Sequence, residues 1–379
     1  MSRVALVRCT QYDLEKVRAA VRRSVDLLGG MQHYVPRGAR VLVKPNLLQA
    51  SAPEEAIVTH PAVVQAVVEL VQEAGGKVTI GDSPGGSFTP GKLRRVYERS
   101  GLQRVAQATG ATLNFDTETV TRAHPTGHLI KRLDIGHYAV EADVIISLPK
   151  LKTHGFMRFT GAIKNLFGVI PGITKMGYHA TLVTADRFAN MLVDVATLVR
   201  PALVIMDAIV GMDGDGPSAG RPFPIGVILT SSDSIALDVA ATELVGIDPL
   251  SVPVLKVATQ RGLTSGRLTD LELVGDSFDA ARVTGFRPPK SGPDISVSAL
   301  PAWVRNLGTR LLVVSPRVTP MCIGCGICAQ NCPVQAIRIE NGRARIDLST
   351  CIRCYCCHEL CPEHAIELHQ PWPGRMFVR

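Results

Sequence analysis

The sequence predicts a layered α/β domain with a mostly parallel sheet over residues 1–285, followed by a small cysteine-built α+β unit over residues 318–379. Two observations carry this. Short Val/Ile/Leu runs alternate with longer segments of helical period through most of the chain. Eight of the ten cysteines then fall into two copies of one spacing near its end, "CIGCGICAQNCP" (322–333) and "CIRCYCCHELCP" (351–362).

The apolar runs are "VALVRC" (4–9), "RVLVKPN" (40–46), "KVTIGD" (77–82), "ADVIISLPK" (142–150), "ALVIMD" (202–207) and "PIGVILT" (224–230). Continuous runs of this length suit strands buried on both faces, as in a parallel sheet. Between them, "HPAVVQAVVELVQEAGG", "ADRFANMLVDVATLVR" and "DSIALDVAATELVG" place apolar residues at three- and four-residue steps behind an acidic or small opening residue, which predicts helices. Residues 286–317 read as a linker, rich in Pro, Gly and Ser, and a short docking helix with Trp303, Leu307 and Leu311 on one face.

At 379 residues the chain exceeds the usual size of one domain, and 46% hydrophobic with 20% charged residues is ordinary for a globular protein. The formal charge of +8 has its Lys and Arg scattered, and the 5% aromatic residues do not alternate with them, so a nucleic-acid surface is not expected. The N-terminal residues turn charged before an apolar signal core could form, and no run reaches the length of a membrane span. A cytoplasmic location follows as the expectation. In that reducing compartment paired cysteine spacings point to metal rather than to disulfides.

Both cysteine runs have the form C-x2-C-x2-C-x3-C-P, and the chain resembles the bacterial two-cluster ferredoxins over about residues 318–370. In that arrangement three thiolates of one run and the fourth of the other hold each [4Fe-4S] cluster. Cys322, Cys325, Cys328 and Cys361 would hold one, and Cys351, Cys354, Cys357 and Cys332 the other. With eight thiolates and two 2+ cluster cores counted, the net charge falls to about +4. Zinc ribbons use separated C-x2-C pairs rather than runs of four. Cys356 is an extra thiol, since only Cys357 keeps the spacing on both sides, and Cys9 reads as a small buried hydrophobe.

In open α/β sheets ligands bind beyond the carboxyl ends of the strands. Those ends read "KPNLL" (44–48), "GDSPGG" (81–86), "LPKLKTH" (148–154), "MDAIVGMDGDGP" (206–217) and "TSSD" (230–233). Lys44, Lys150, Lys152, Lys164 and His154 give this rim a cationic group. An unpaired buried charge is costly. Two readings follow: the lysines pair with Asp82, Asp207, Asp213 and Asp215, or they meet a small anionic substrate. Asn46, Thr153 and Asn165 would orient such a ligand, and His154, with Lys152 and Asp82, is the catalytic candidate, Tyr178 or His179 standing behind it.

The segments "VLVKPNLL", "THP", "IGDSPG", "LPKLKTHGFMRFTGAIKNLFGVIPG" and "DAIVGMDGDGP" followed by "SSDSIALDVAA" resemble the family catalogued as domain of unknown function 362, over roughly residues 1–285. The resemblance implies a shared architecture and an iron-sulfur context and no particular reaction. Other motifs fall short. "DGDG" (213–216) lacks the later ligands of a calcium loop, leaving a Mg2+ site on Asp207, Asp213 or Asp215 beside a plain glycine-rich turn. "GSFTPGKL" (86–93) has Leu93 where a phosphate loop needs Ser or Thr. "AHPTGH" reads as a surface turn carrying His124 and His128. The function expected is an oxidoreductase that exchanges electrons with a donor or acceptor protein and passes them to a ligand at the rim. The alternative is an electron-transfer adaptor or assembly factor that docks on a partner enzyme.

Overall fold

The computed structural model describes residues 1–289 and 314–369, so the expected docking helix with Trp303, Leu307 and Leu311 lies outside the described residues. Its centre is a ten-stranded sheet made of β1 (Ser2–Arg8), β2 (Arg40–Pro45), β3 (Lys77–Ile80), β4 (Thr112–Leu113), β7 (Val144–Leu148), β8 (Lys150–His154), β9 (Arg158–Thr160), β10 (Leu203–Asp213), β11 (Arg221–Ser231) and β12 (Leu271–Gly275). β5 (Thr119–Ala123) and β6 (Arg132–Gly136) form a separate hairpin. The sheet order is β12-β1-β11-β10-β7-β2-β3-β4, with β8 added on β10 and β9 on β8. All neighbours in the main path are parallel except that β11 runs against β10 and β1.

Each apolar run becomes a strand because both of its faces find a hydrophobic layer. Along β10, Leu203 and Ile205 join one core while Val204 and Met206 join the other, following the two-residue period of a strand. Helices Leu14–Asp26, Pro61–Glu73, Pro90–Arg99 and Leu102–Thr109 cover the first face. Helices Ala185–Val199, Ser234–Leu244 and Pro253–Gln260 cover the second. Their starts are capped as the sequence suggests. His60 accepts from Ala62 N at 3.2 Å ahead of Pro61, and Asp233 accepts from Ile235 N at 2.8 Å and Ala236 N at 3.1 Å.

Two sequence expectations need correction. The segments 148–154 and 206–213 are not loops at strand ends: β8 continues β7 past Pro149, whose carbonyl accepts from Asp207 N at 2.9 Å, and β10 runs on to Asp213. The turn at 124–128 is only half exposed, since His124 is buried and lies 3.1 Å from Thr197 Oγ1. In both places a polar side chain satisfied by a distant partner mimics surface in the sequence.

The cysteine-rich segment forms two strand pairs, β13 (Ser315–Val318) with β16 (Ile366–His369) and β14 (Ile337–Glu340) with β15 (Arg343–Ile346). Short helices Ile327–Gln330 and Cys356–Glu359 carry the third cysteine of each run. Positive-φ residues recur at matching places in the two runs: Gly324 with Arg353, Gly326 with Tyr355, and Gln335 with His364. The two halves therefore repeat one backbone path, and that repeat is what lets each fourth cysteine reach across.

Candidate functional site

Cys322, Cys325, Cys328 and Cys361 line one cavity of about 330 Å³, with Ile323, Ile339 and Ile366 around them. Cys332, Cys351, Cys354 and Cys357 line another of about 300 Å³, together with Pro333, Ile337, Ile352 and the extra thiol Cys356. Thus the structure brings each expected quartet, including the exchanged fourth cysteine, around a single space. Backbone amides aim at the sulfurs: Ala344 N lies 3.4 Å from Cys322 Sγ and Ala365 N 3.2 Å from Cys361 Sγ. In the second set Ala336 N lies 3.2 Å from Cys332 Sγ and Arg353 N 3.4 Å from Cys351 Sγ. Four thiols, N–H donors to them and an apolar shell suit a cluster whose sulfurs carry the negative charge. Among the described residues, no cysteine is paired in a disulfide.

The rim of the sheet divides the expected lysines. Lys44 is buried and pairs with Asp82 Oδ1 at 2.8 Å, while Asp82 Oδ2 accepts from Leu47 N at 2.7 Å and Asn165 Oδ1 lies 3.3 Å from the ammonium. Gly168 closes over this pair, where any Cβ would collide with both ions. Lys150 pairs with Asp207 Oδ2 at 2.8 Å and donates to Tyr12 OH at 2.7 Å; Tyr12 OH donates to Asp207 Oδ1 at 2.8 Å. Both networks are structural, because their charges are already matched. Burial pulls Lys44 and Lys150 below the ordinary lysine value, opposed by Asp82 and Asp207 respectively. Lys152, pulled down to about 7 chiefly by burial, donates to Ile57 O at 2.7 Å. Thr153 accepts from Gly216 N at 3.3 Å and lies 3.4 Å from Met212 O, so it fastens a turn rather than facing a ligand.

His154 is also withdrawn. Its Nδ1 accepts from Phe156 N at 3.0 Å and Met157 N at 3.3 Å, which leaves the proton on Nε2, 3.2 Å from Glu359 Oε1 in the second cysteine run. Burial, with Lys164 and His179 nearby, holds its ring well below the usual histidine range. It joins the two parts of the chain instead of meeting solvent. Among the described residues, no metal-ligating group of three forms on Asp207, Asp213 and Asp215. Asp207 is held by Lys150, and Asp213 pairs with Arg221 at 2.7 Å.

Residues the sequence placed apart meet in a cleft of about 600 Å³ between this rim and the second cysteine run. From the rim come Asn46, Asp82, Ser83, Lys164, Asn165, Lys175 and His179, and from the run come Cys356, Glu359 and Leu360. Asp238 positions part of it, accepting from Ala162 N at 2.6 Å and Ile163 N at 3.0 Å and so fixing the short helix Ala162–Asn165 that presents Lys164. Asn46 Oδ1, Ser83 Oγ, His179 Nδ1 and Glu359 Oε1 are buried without a hydrogen-bond partner among the described residues, and the half-buried Lys164 ammonium lies 6.0 Å from the Phe167 ring centroid. Such a concentration of unpaired polar atoms is costly unless a ligand completes it. Lys175 donates to Ser83 O, and His179 stacks on Phe188 with 4.4 Å between ring centroids. A wider groove beside His60, Arg99 and Arg104 holds no such unpaired buried atom among the described residues.

Ser83 and Lys175 were not among the expected site residues. Neither was the ferredoxin-side wall, which is seated by several contacts. Tyr355, at φ 62, donates to Val314 O at 2.9 Å and packs with Leu368 and Phe156. His358 bridges Ile366 O at 2.5 Å and Asp215 O at 3.0 Å, and Leu360 abuts Gly85.

Residues 41–243 match the family described as domain of unknown function (DUF362), and residues 321–365 match the 4Fe-4S dicluster domain. A thylakoid-associated protein of Synechocystis sp. is 37% identical over 294 residues, spanning 74% of this chain and 88% of its own length. Two solved structures are more distant. The lactate racemase apoprotein of Thermoanaerobacterium thermosaccharolyticum gives a TM-score of 0.39 at 14% identity over 62% of this chain and 55% of its own. A Thermotoga maritima protein gives 0.37 at 13% over 65% of this chain and 59% of its own. At those scores the likeness carries no argument. Among the described residues no helix is long and apolar enough to cross a membrane.

Proposed function

Since the chain belongs to the family described as domain of unknown function (DUF362) and carries a 4Fe-4S dicluster domain, we propose that it is an oxidoreductase that reduces a small anion held in the rim cleft. The two cysteine quartets would each hold one [4Fe-4S] cluster, which supplies single electrons when bound. The observation that carries this reading is Cys356, which lines both the second cysteine cavity and the cleft, so the two spaces share a lining residue.

In this reading Lys164 and Lys175 bind the anionic part, Asn46 and Ser83 orient it, and His179 and Glu359 lie within the same lining to hydrogen-bond it. His154 acts as a positioning residue through Glu359. Lys44, Asp82 and Asn165 hold the floor, and Lys150, Lys152 and Thr153 hold the strands beneath.

Anaerobically loaded and reduced protein should show altered cluster spectra when titrated with oxalate, phosphate or sulfite. The reading fails if none of these, nor a broader set of small anions, binds or takes electrons. Lys164→Met should weaken binding of the responsive anion about ten- to hundredfold, the scale of one charged hydrogen bond, with little change in stability.

A pH dependence follows from Lys175, which burial, helped by Lys44 and Lys164 and opposed by Asp82, pulls down to about 7. Its ammonium attracts the anion and its neutral amine does not. Affinity should therefore be full on the acid side and fall as the pH rises through about 7, as titration calorimetry on either side would record.

The adaptor reading is favoured by a different observation, the exposed apolar side chains of Met321 and Ile323 beside the first cysteine cavity. Undiminished electron delivery to a co-purifying partner by the Lys164→Met protein would select it.

A further inference from the structure

The two cysteine runs repeat one backbone, yet the second makes most of the contacts with the α/β rim, the first meeting it through Asn331 beside Gly86. On the first run Met321 is 63% exposed and Ile323 64%, and Ile339, beside the same cavity, is 39% exposed. Cys325 is exposed as well, so this is where a cluster ligand comes closest to solvent. The neighbouring hairpin is tied to that loop: Ala344 N points at Cys322 Sγ at 3.4 Å, and Arg343 Nη2 lies 3.4 Å from Pro320 O. Gly324 packs so closely on Gly342 O that a Cβ would collide with it.

The register of this hairpin sorts its side chains. Ile337 pairs with Ile346 and Ile339 with Ala344 on the face toward the cysteines. Arg338 pairs with Arg345 and Glu340 with Arg343 on the other, which thus presents three guanidiniums and one carboxylate. Glu340 is taken by Arg345 at 3.1 Å, leaving Arg338 and Arg343 without an ion-pair partner among the described residues. Glu363, also exposed at the cavity, is one acidic group against them.

We propose that the apolar patch of Met321, Ile323 and Ile339, with the arginine face of the hairpin beside it, is the docking surface for an acidic one-electron carrier protein. The apolar residues would be the dehydrated centre of the contact and the arginines its steering rim. Electron transfer slows steeply with distance, and this is the surface on which an approaching carrier comes nearest to the first cysteine quartet. The opposite end is closed by the rim. This inference rests on the dicluster domain and not on the cleft, so a failure of one leaves the other standing.

The test uses the whole, cluster-loaded chain and a photoreduced acidic plant-type ferredoxin as the carrier, with the rate of cluster reduction followed by absorbance. The rate should fall as salt is added, and Arg338→Glu with Arg345→Glu should lower it about tenfold or more at low ionic strength. Reduction by dithionite should stay unchanged. Ile323→Ser should slow transfer at all salt concentrations. A rate indifferent to salt and to charge reversal overturns the proposal. So does sedimentation showing this patch buried between two copies of the chain. So does binding to phosphatidylglycerol vesicles that the same variants abolish while carrier transfer is kept. If the charge-reversed chain fails to load iron, the salt response of the unaltered protein decides.

Discussion

Cys332→Ala is expected to remove the cluster attributed to the second cysteine run while sparing that of the first. Cys332 stands in the first run by sequence, yet it lines the cavity of Cys351, Cys354 and Cys357. Its counterpart Cys361 lines the cavity of Cys322, Cys325 and Cys328. The iron and sulfide content should fall by half in either variant, but the surviving spectrum should differ. Cys332→Ala should match Cys354→Ala, and Cys361→Ala should match Cys325→Ala. If each fourth cysteine instead matched its own run, the exchange would be wrong. Cys356→Ala should keep the full iron content, because Cys357 holds the spacing, and should alter the cluster's response to anions, because Cys356 faces the cleft.

Lys150→Met should be the most destabilising of the rim substitutions. Lys150 and Asp207 are both fully buried, and removal of the ammonium leaves a carboxylate with only Tyr12 OH, His60 N at 3.0 Å and Ile209 N at 3.3 Å. Breaking a buried pair from one side costs about 3–5 kcal/mol. Denaturant unfolding followed by circular dichroism would read this as a lower midpoint at unchanged slope. Replacing both partners with apolar residues should recover part of the loss, since two charges no longer have to be desolvated. By contrast Lys164→Met should leave the midpoint nearly where it was. The pair of results separates the lysines that hold the fold from the one proposed to meet a ligand.

The central strands were legible because burial on both faces writes itself as unbroken Val, Ile and Leu. β8 was not, because "KLKTH" breaks that rule: Lys150 and Lys152 are buried, and their partners Asp207 and Ile57 O come from distant segments. No local pattern records such a match. β12, half-buried at the sheet's edge, was also passed over. The cysteine quartets could be read because a fixed spacing is itself local. The ferredoxin-side wall could have been found by comparing the two runs position by position. Where the first has Gly326, Ile327, Ala329, Gln330 and Asn331, the second has Tyr355, Cys356, His358, Glu359 and Leu360. Each of those five touches the α/β part or lines the cleft. Two halves with the same metal-binding duty differ at the places where one of them has a second duty.

Leu360 lies between Cys361 of the first cysteine cavity and the loop at Gly85, and Glu359 reaches from the same short helix to His154. The wall of the cleft is thus fastened by the same segment whose cysteines line the two cluster cavities. A chain made during iron starvation, or stripped by oxygen, is expected to lose its ligand chamber along with its wiring. On the proposed function, maturation would then work as a licence: the pocket would be complete only in molecules equipped to deliver electrons, and an unloaded chain would not sequester the anion to no purpose.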